Sequence, residues 1–279
     1  MKKILGIIGS PRRLGNCEIM VKEISRNIPE SHELQILRLP EFNFLPCKAC
    51  YSCLFEKQRC VQEDDFQVVL DAIVQADALI VATPTYLFGA NSSLKRFLDR
   101  GLTFYAHLEN LWGTPAVGVG IAGMAGFEGY TKLNVDSFMK LTFSDVKGSE
   151  IIYGALPGEI FLNQNAKKRA SILARALFAK PTEKSGPACP LCGGDTFRFL
   201  GDRKVRCMLC SNDGTIDMSS GEPVFEIRGG EEHHLFLSKK AVAAHLESLR
   251  QMKQRFIKRR KTLKEITQPY SEEGCWLKP

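Results

Sequence analysis

Four thiols fall within fourteen residues at Cys47, Cys50, Cys53 and Cys60, spaced C-x2-C-x2-C-x6-C. Three cysteines at successive three-residue steps let one loop fold around a cubic cluster and offer sulfur to several of its corners. Bacterial [4Fe-4S] ferredoxins use C-x2-C-x2-C-x3-C-P, with the fourth cysteine serving a second cluster. Here the fourth cysteine is near enough to complete the same site. A structural zinc, a redox disulfide and unliganded thiols are the competing readings. Four-cysteine zinc sites, however, ordinarily draw on two separate C-x2-C knuckles brought together by the fold.

That two-knuckle pattern occurs later, as Cys189 and Cys192 with Cys207 and Cys210, spaced C-x2-C-x14-C-x2-C. Two knuckles joined by a hairpin-like stretch place four thiolates tetrahedrally, which suits Zn2+ and resembles a zinc ribbon. The intervening TFRFLGDRKVRC alternates apolar and polar residues, as two small strands around a Gly201-Asp202 turn would. The same thiolates could hold a single iron as in rubredoxin, which would make the module an electron carrier. Arg198, Arg203, Lys204 and Arg206 could make a basic face, but Asp195, Asp202, Asp213 and Asp217 offset it. Folding or docking is the better reading.

A third chemical feature is the loop Gly9-Ser10-Pro11-Arg12-Arg13-Leu14-Gly15-Asn16 between a strand and a helix. Backbone N–H groups and the helix dipole there favour a phosphate. Ser10 and Asn16 add side-chain donors, and Arg12 or Arg13 adds charge. The loop lacks the lysine of a triphosphate-binding G-x-x-x-x-G-K-[ST] and the spacing of G-x-G-x-x-G. A monophosphate such as that of FMN remains, although a tight strand-to-helix turn alone also favours glycine and Ser/Asn. Further on, Thr83 to Ser92 offers backbone amides, Tyr86 and apolar side chains to a flat aromatic ligand, and Ala122 to Gly129 is glycine-rich.

These residues need a frame that brings them to one rim. KILGII, residues near 34–39, ALIVATP, TPAVGVGIAG and SEIIYGAL read as five strands. Helices are expected at the end of the glycine loop, over 66–76 with Asp64 or Asp65 as cap, and over 92–100. Others cover GYTKLNVDSFMKLTF and Ala166–Lys180. The alternation argues for an α/β fold with a doubly wound five-stranded parallel sheet, whose strand C-ends gather the ligand loops on one side. The domains are then 1–181 with a cysteine loop at about 43–64, a linker at Pro181–Pro187, a ribbon module at 186–220 and an extension at 221–279. The extension carries a basic helix at about 238–266. Residues 250–264 hold eight Lys/Arg and no acidic residue. Val242, Leu246, Leu249, Met252 and Phe256 recur at helical spacing, so that face is expected to be buried against the main domain or a second subunit. His233 and His234 are adjacent and form a poor joint ligand pair.

With 279 residues, 44% hydrophobic and 25% charged, the composition is that of a soluble globular protein. No run approaches the roughly 18 apolar residues of a membrane helix. The N-terminal MKKILGIIGSPRR has arginines and no small-residue cleavage site after its apolar stretch, so it reads as a buried strand. Ten cysteines without a secretion signal point to a reducing, cytoplasmic setting. The net charge of +7 fits an acidic redox partner as well as nucleic acid.

GSPRRLGN, the run PCKACYSC…C followed by Glu63-Asp64-Asp65, and TPTYLFGANSSLKRFLDR together resemble the flavodoxin-like NADPH-dependent FMN reductase family. Within it they are most similar to the iron–sulfur flavoproteins of anaerobes, over about residues 1–180. The resemblance implies FMN held at its phosphate by Ser10, Arg12, Gly15 and Asn16, with Pro84, Thr85, Tyr86 and Leu87 beside the isoalloxazine. Gly123 is expected to approach the ring edge. It also implies a [4Fe-4S] cluster on Cys47, Cys50, Cys53 and Cys60, and an oligomer with the cluster near a subunit boundary.

Three functions follow as expectations. The first is a redox enzyme passing electrons between a ferredoxin-like protein or NAD(P)H and an acceptor through FMN and the cluster, with no side chain required as a general acid. The second is an NAD(P)H-dependent flavin or quinone reductase without a cluster. The third is a nucleic-acid binder acting through the ribbon and the basic helix, and it is the least favoured.

Overall fold

The structure is a computed structural model of the chain, and it describes residues 1–55, 59–180, 186–229, 237–271, 273–275 and 277. The expected linker residues 181–185 and the pair His233 and His234 lie outside the described residues.

Strand β1 (Lys2–Ile8) is followed by helix α1 (Asn16–Arg26), β2 (His32–Arg38), α2 (Phe66–Val74) and β3 (Ala78–Tyr86). A short β4 (Gly89–Ala90) turns back on β3 and leads to α3 (Ser92–Leu98), α4 (Leu108–Leu111) and β5 (Pro115–Ala122). Then come α5 (Thr131–Leu141), β6 (Asp145–Tyr153) and α6 (Gln164–Leu177). The principal sheet runs β2-β1-β3-β5-β6 with every pair parallel, and β4 pairs antiparallel with β3. This is the flavodoxin-like order, in which the chain reverses direction between β1 and β3 and ligands settle at the strand C-ends.

Side chains of a strand alternate between faces, and the two cores follow that period. Ile4, Ile8, Ile80 and Val119 meet α1 and α6 on one face. Leu5, Ile7, Leu79 and Val81 meet α2, α3 and α5 on the other, where Phe66, Phe97, Phe104 and Phe138 form a linked set of aromatic contacts. The central strands are buried on both sides, which is why they read as unbroken apolar runs. Strand β6 starts at Asp145, earlier than the apolar SEIIY suggests. It is the half-buried edge of the sheet and tolerates DVKGSE.

The cysteine module forms its own four-stranded antiparallel sheet in the order β10-β9-β8-β7, from β7 (Phe197–Gly201), β8 (Lys204–Cys207), β9 (Asp213–Asp217) and β10 (Val224–Ile227). Strand β10 lies beyond the expected boundary at 220. The expected hairpin is present, but its tip is Asp202-Arg203, both in the left-handed region at φ 48° and 58°. Helix α7 (Lys239–Thr267) is capped by the Ser238 hydroxyl, which accepts from the Ala241 N–H at 3.1 Å. Its first turns rest on the core of the parallel-sheet domain through Val242, and Lys239 pairs with Glu109. The expected buried stripe then fades, with Leu246 and Leu249 half-buried. Met252 and Phe256 are 46% and 55% exposed, because the helix runs on past the domain that covers its start.

Candidate functional site

The loop after β1 is shaped from behind by a buried ion pair. Arg38, at the end of β2, donates through Nη2 to Glu18 Oε2 at 2.7 Å and through Nη1 to the carbonyls of Ser10 and Arg12 at 3.0 and 2.8 Å. Glu18 in turn accepts the Leu14 N–H at 2.7 Å, fixing Leu14 in the left-handed region at φ 51°. Burial pushes the Glu18 carboxyl up, but hydrogen bonds from Lys22, Arg38 and the Leu14 N–H outweigh it and hold the pKa down at about 2. Gly15 occupies the N-cap of α1, and no side chain caps that end. Gly15, Asn16 and Cys17 of this helix end line a cavity, and a helix N-terminus favours an anion. Gly9 lies so close to β3 that a Cβ would sit 2.6 Å from both Leu94 Cδ1 and Thr83 Oγ1.

A cavity of about 160 Å³ opens at this rim, and Ser10, Arg12, Gly15, Asn16, Pro84, Thr85, Tyr86 and Gly123 all line it. Leu87 does not; it projects from the rim at 94% exposure. Leu87 and Phe88 form the two-residue hairpin between β3 and β4 with φ of 48° and 66°, which non-glycine residues adopt at a cost. The hairpin is held by α5. Thr85 Oγ1 and Thr131 Oγ1 are 2.8 Å apart, the Ala90 N–H donates to Asn134 Oδ1 at 2.9 Å, and the Tyr130 N–H donates to the Phe88 carbonyl at 2.8 Å. Phe88 stacks on Phe127 with ring centroids 5.7 Å apart, and both rings are exposed.

The loop after β6 completes the cavity through Gly154, Ala155 and Pro157, and sequence reasoning missed it. Its only signal is the GALPG after Tyr153, whose first three residues read as the end of the strand SEIIYGAL. The side chain of Asn16 is committed to this loop, donating to the Gly154 carbonyl at 3.0 Å and accepting the Gly158 N–H at 2.8 Å. Arg12 Nη1 reaches the Ala155 carbonyl at 3.3 Å. Cys17 also lines the cavity, and burial pushes its thiol up to about 12, so it stays protonated and inert.

Cys47, Cys50, Cys53 and Cys60 line a second, smaller cavity together with Tyr51, Arg100 and Thr103. Ala49 and Tyr51 adopt φ of 49° and 58°, turning the loop between successive thiols. The loop is pinned by carboxylates. Asp64 accepts the Leu45 N–H at 2.7 Å and the Phe66 N–H at 3.1 Å, and Asp65 accepts the Asn43 N–H at 2.7 Å. Asp64 therefore does the capping work, although Asp65 occupies the N-cap position of α2. Arg96 donates to the Phe44 carbonyl at 2.6 Å and Arg250 of α7 to the Leu54 carbonyl at 2.9 Å.

Cys189, Cys192, Cys207 and Cys210 bring four sulfur atoms within 4.8 Å of one another, with Cys189–Cys210 at 3.8 Å and Cys192–Cys207 at 3.5 Å. Tetrahedral ligation at a Zn–S distance near 2.3 Å would place sulfurs roughly 3.8 Å apart. The module is fastened to the flavin fold by Lys132, which bridges Asp136 at 3.1 Å and Asp195 at 2.8 Å, and by Leu133 in its small core.

Comparison with known proteins bears on the family and the fold. Residues 2–150 match the model of the NADPH-dependent FMN reductase family. An iron-sulfur flavoprotein of Archaeoglobus fulgidus is 29% identical over 163 residues, covering 57% of this chain and 71% of that protein. One from Methanocaldococcus jannaschii is 34% identical over 129 residues, covering 45% of this chain and 66% of its own. A solved flavone reductase superposes on 99% of both chains with a TM-score of 0.78 at 20% identity, so the whole arrangement, ribbon and long helix included, is a fold shared beyond this chain. The ribbon and α7 lie outside the residues that the family model matches. Through its first 150 residues, the chain belongs to the NADPH-dependent FMN reductase family.

Proposed function

We propose that the protein is an iron–sulfur flavoprotein that moves electrons between a donor, NAD(P)H or a ferredoxin-like protein, and an acceptor. The observation that carries this reading is the presence, in one flavin-type fold, of a phosphate-ready cavity and a four-cysteine cavity built by separate loops. When bound, FMN exchanges one or two electrons and a [4Fe-4S] cluster exchanges one, so together they join two-electron to one-electron chemistry.

Ser10, Arg12 and the amides at the start of α1 would hold the FMN phosphate. Pro84, Thr85, Tyr86 and Gly123 would bound the ring, and Leu87 would serve as rim rather than wall. Asn16 acts at one remove, tying the loop after β6 to α1 so that both sides of the cavity keep their spacing. Cys47, Cys50, Cys53 and Cys60 would ligate the cluster. Their fit is supported by a shared cavity and by the closeness of Cys50 and Cys60 to Cys53, whose thiol is pushed up first by burial. The ribbon cysteines suit Zn2+, which would fix the module's fold.

For the partner, α7 offers a basic flank beside the cysteine loop. A groove of about 570 Å³ runs between Cys50 and Tyr51 on one side and Met252, Arg255, Phe256 and Arg259 on the other. An acidic electron-transfer protein matches that charge. The exposed apolar residues of the same helix favour an oligomer. Among the described residues, no helix is long and apolar enough to cross a membrane.

The test is an anaerobic absorbance spectrum with iron, zinc and flavin counted per chain. About one flavin, four irons and one zinc are expected, the iron number following from the cluster type. Flavin bleached by NAD(P)H in protein without cluster iron would instead make it a simple flavin or quinone reductase.

A further inference from the structure

Arg100 follows α3 and is 2% exposed. Its Nη1 donates to Asp64 and to the Leu45 carbonyl, and its guanidinium carbon lies 4.3 Å from the centroid of the Phe66 ring. Those contacts hold one edge of the guanidinium. Nε and Nη2 are buried and have no hydrogen-bond partner. A buried, permanently charged group with unsatisfied donors is costly, and native proteins rarely leave one without an acceptor. The same residue lines the cavity bounded by Cys47, Cys50, Cys53 and Cys60.

We infer that Arg100 is a cluster-contacting residue, whose Nε–H and Nη2–H donate to sulfur of the cluster and whose charge raises its reduction potential. The acceptor such a cation requires is anionic and sits among the cysteines; four thiolates around an iron–sulfur core supply both negative charge and sulfur acceptors. Net charge and hydrogen bonds to the sulfurs are among the terms that set a cluster's potential. Reduction adds one negative charge beside the guanidinium, so the cation stabilises the reduced form more than the oxidised one. Asp64 aims the group. It takes Nη1 and leaves Nε and Nη2 free for another acceptor, and its own carboxylate is fixed by the Leu45 and Phe66 amides. The loop is thereby anchored and electrically tuned by one side chain.

The inference rests on the cluster proposed above, and the two fail differently. Wild-type protein without cluster iron overturns both. With iron present, Arg100 is tested alone by anaerobic redox titration of the full-length Arg100→Lys and Arg100→Gln variants, with FMN content as the check on folding. In Arg100→Gln the ratio of reduced to oxidised cluster at a fixed potential should fall at least tenfold, a downward shift of about 59 mV for a one-electron couple. Arg100→Lys, which keeps the charge but not the fork, should fall between. A potential unmoved in Arg100→Gln overturns the inference. Should that variant lose its cluster, the wild type decides. Reduced protein carrying guanidino-15N arginine should show nitrogen hyperfine coupling to the cluster in pulsed EPR, and its absence overturns the assignment.

Discussion

At the scale of single residues, the phosphate loop depends on a side chain that never faces the cavity. Glu18 joins Arg38, Lys22 and the Leu14 amide, and its folded pKa of about 2 lies below the ordinary 4.5. A depressed carboxylate contributes stability that is complete above the ordinary value and is lost as pH falls through the folded one. The loop should therefore loosen between about pH 4.5 and 2. In an acid titration followed by circular dichroism and flavin release, Glu18→Gln should remove that portion of the transition. At neutral pH it should cost about 1.5–3 kcal/mol, the range for a hydrogen bond to a charged group. An acid profile identical to wild type would show that Arg38 holds the loop without it.

At the scale of elements, the hairpin after β3 carries strain that its sequence did not choose to relieve. Two-residue turns of this type favour Asn-Gly, yet Leu87-Phe88 occupies it with both φ positive. Leu87→Asn should stabilise the protein by about 0.5–1 kcal/mol, seen as a rise in Tm of a few degrees, because Asn tolerates the left-handed region. An unchanged or lower Tm would mean that exposed Leu87 is held by something its own turn does not explain. Elements were legible in the sequence wherever burial was two-sided: β1, β3 and β5 announce themselves as unbroken apolar runs. The legible part of the site was the loop directly following such a strand, where glycines, Ser10 and Arg12 follow Ile8. The loop after β6 escaped notice because its first residues, Gly154 to Leu156, continue the apolar run of IIY and read as strand. Strands β9 and β10 escaped because DGTID and VFEI are short and mostly exposed. Periodicity along α7 recorded a real apolar face, but periodicity carries no information about how far the covering domain extends.

At the scale of the whole molecule, basic charge is concentrated where an acidic electron carrier would dock. The basic flank of α7 borders the cysteine loop and contacts it through Arg250 and through Lys253, whose ammonium lies 4.7 Å from the Phe55 ring centroid. Electron delivery from an acidic carrier protein should slow by roughly tenfold or more as salt rises through the physiological range, since steering between opposite charges is screened. Reversing Arg255 and Arg259 to glutamate should remove the salt dependence and leave flavin bleaching by NAD(P)H untouched. A salt-independent rate in the wild type would place the docking face elsewhere.

One turn of α5 serves two sites at once. Thr131 and Asn134 brace the hairpin at the flavin cavity, while Lys132 and Leu133 between them grip the ribbon. Stripping the ribbon of its metal with a chelator should weaken flavin retention by roughly tenfold, about 1.4 kcal/mol, measured by the fluorescence of released flavin. Flavin held as tightly as before would show that the shared turn transmits nothing. If the turn does transmit, cells starved of the ribbon metal would yield protein short of flavin, and flavin content would gauge the state of a module remote from the flavin cavity.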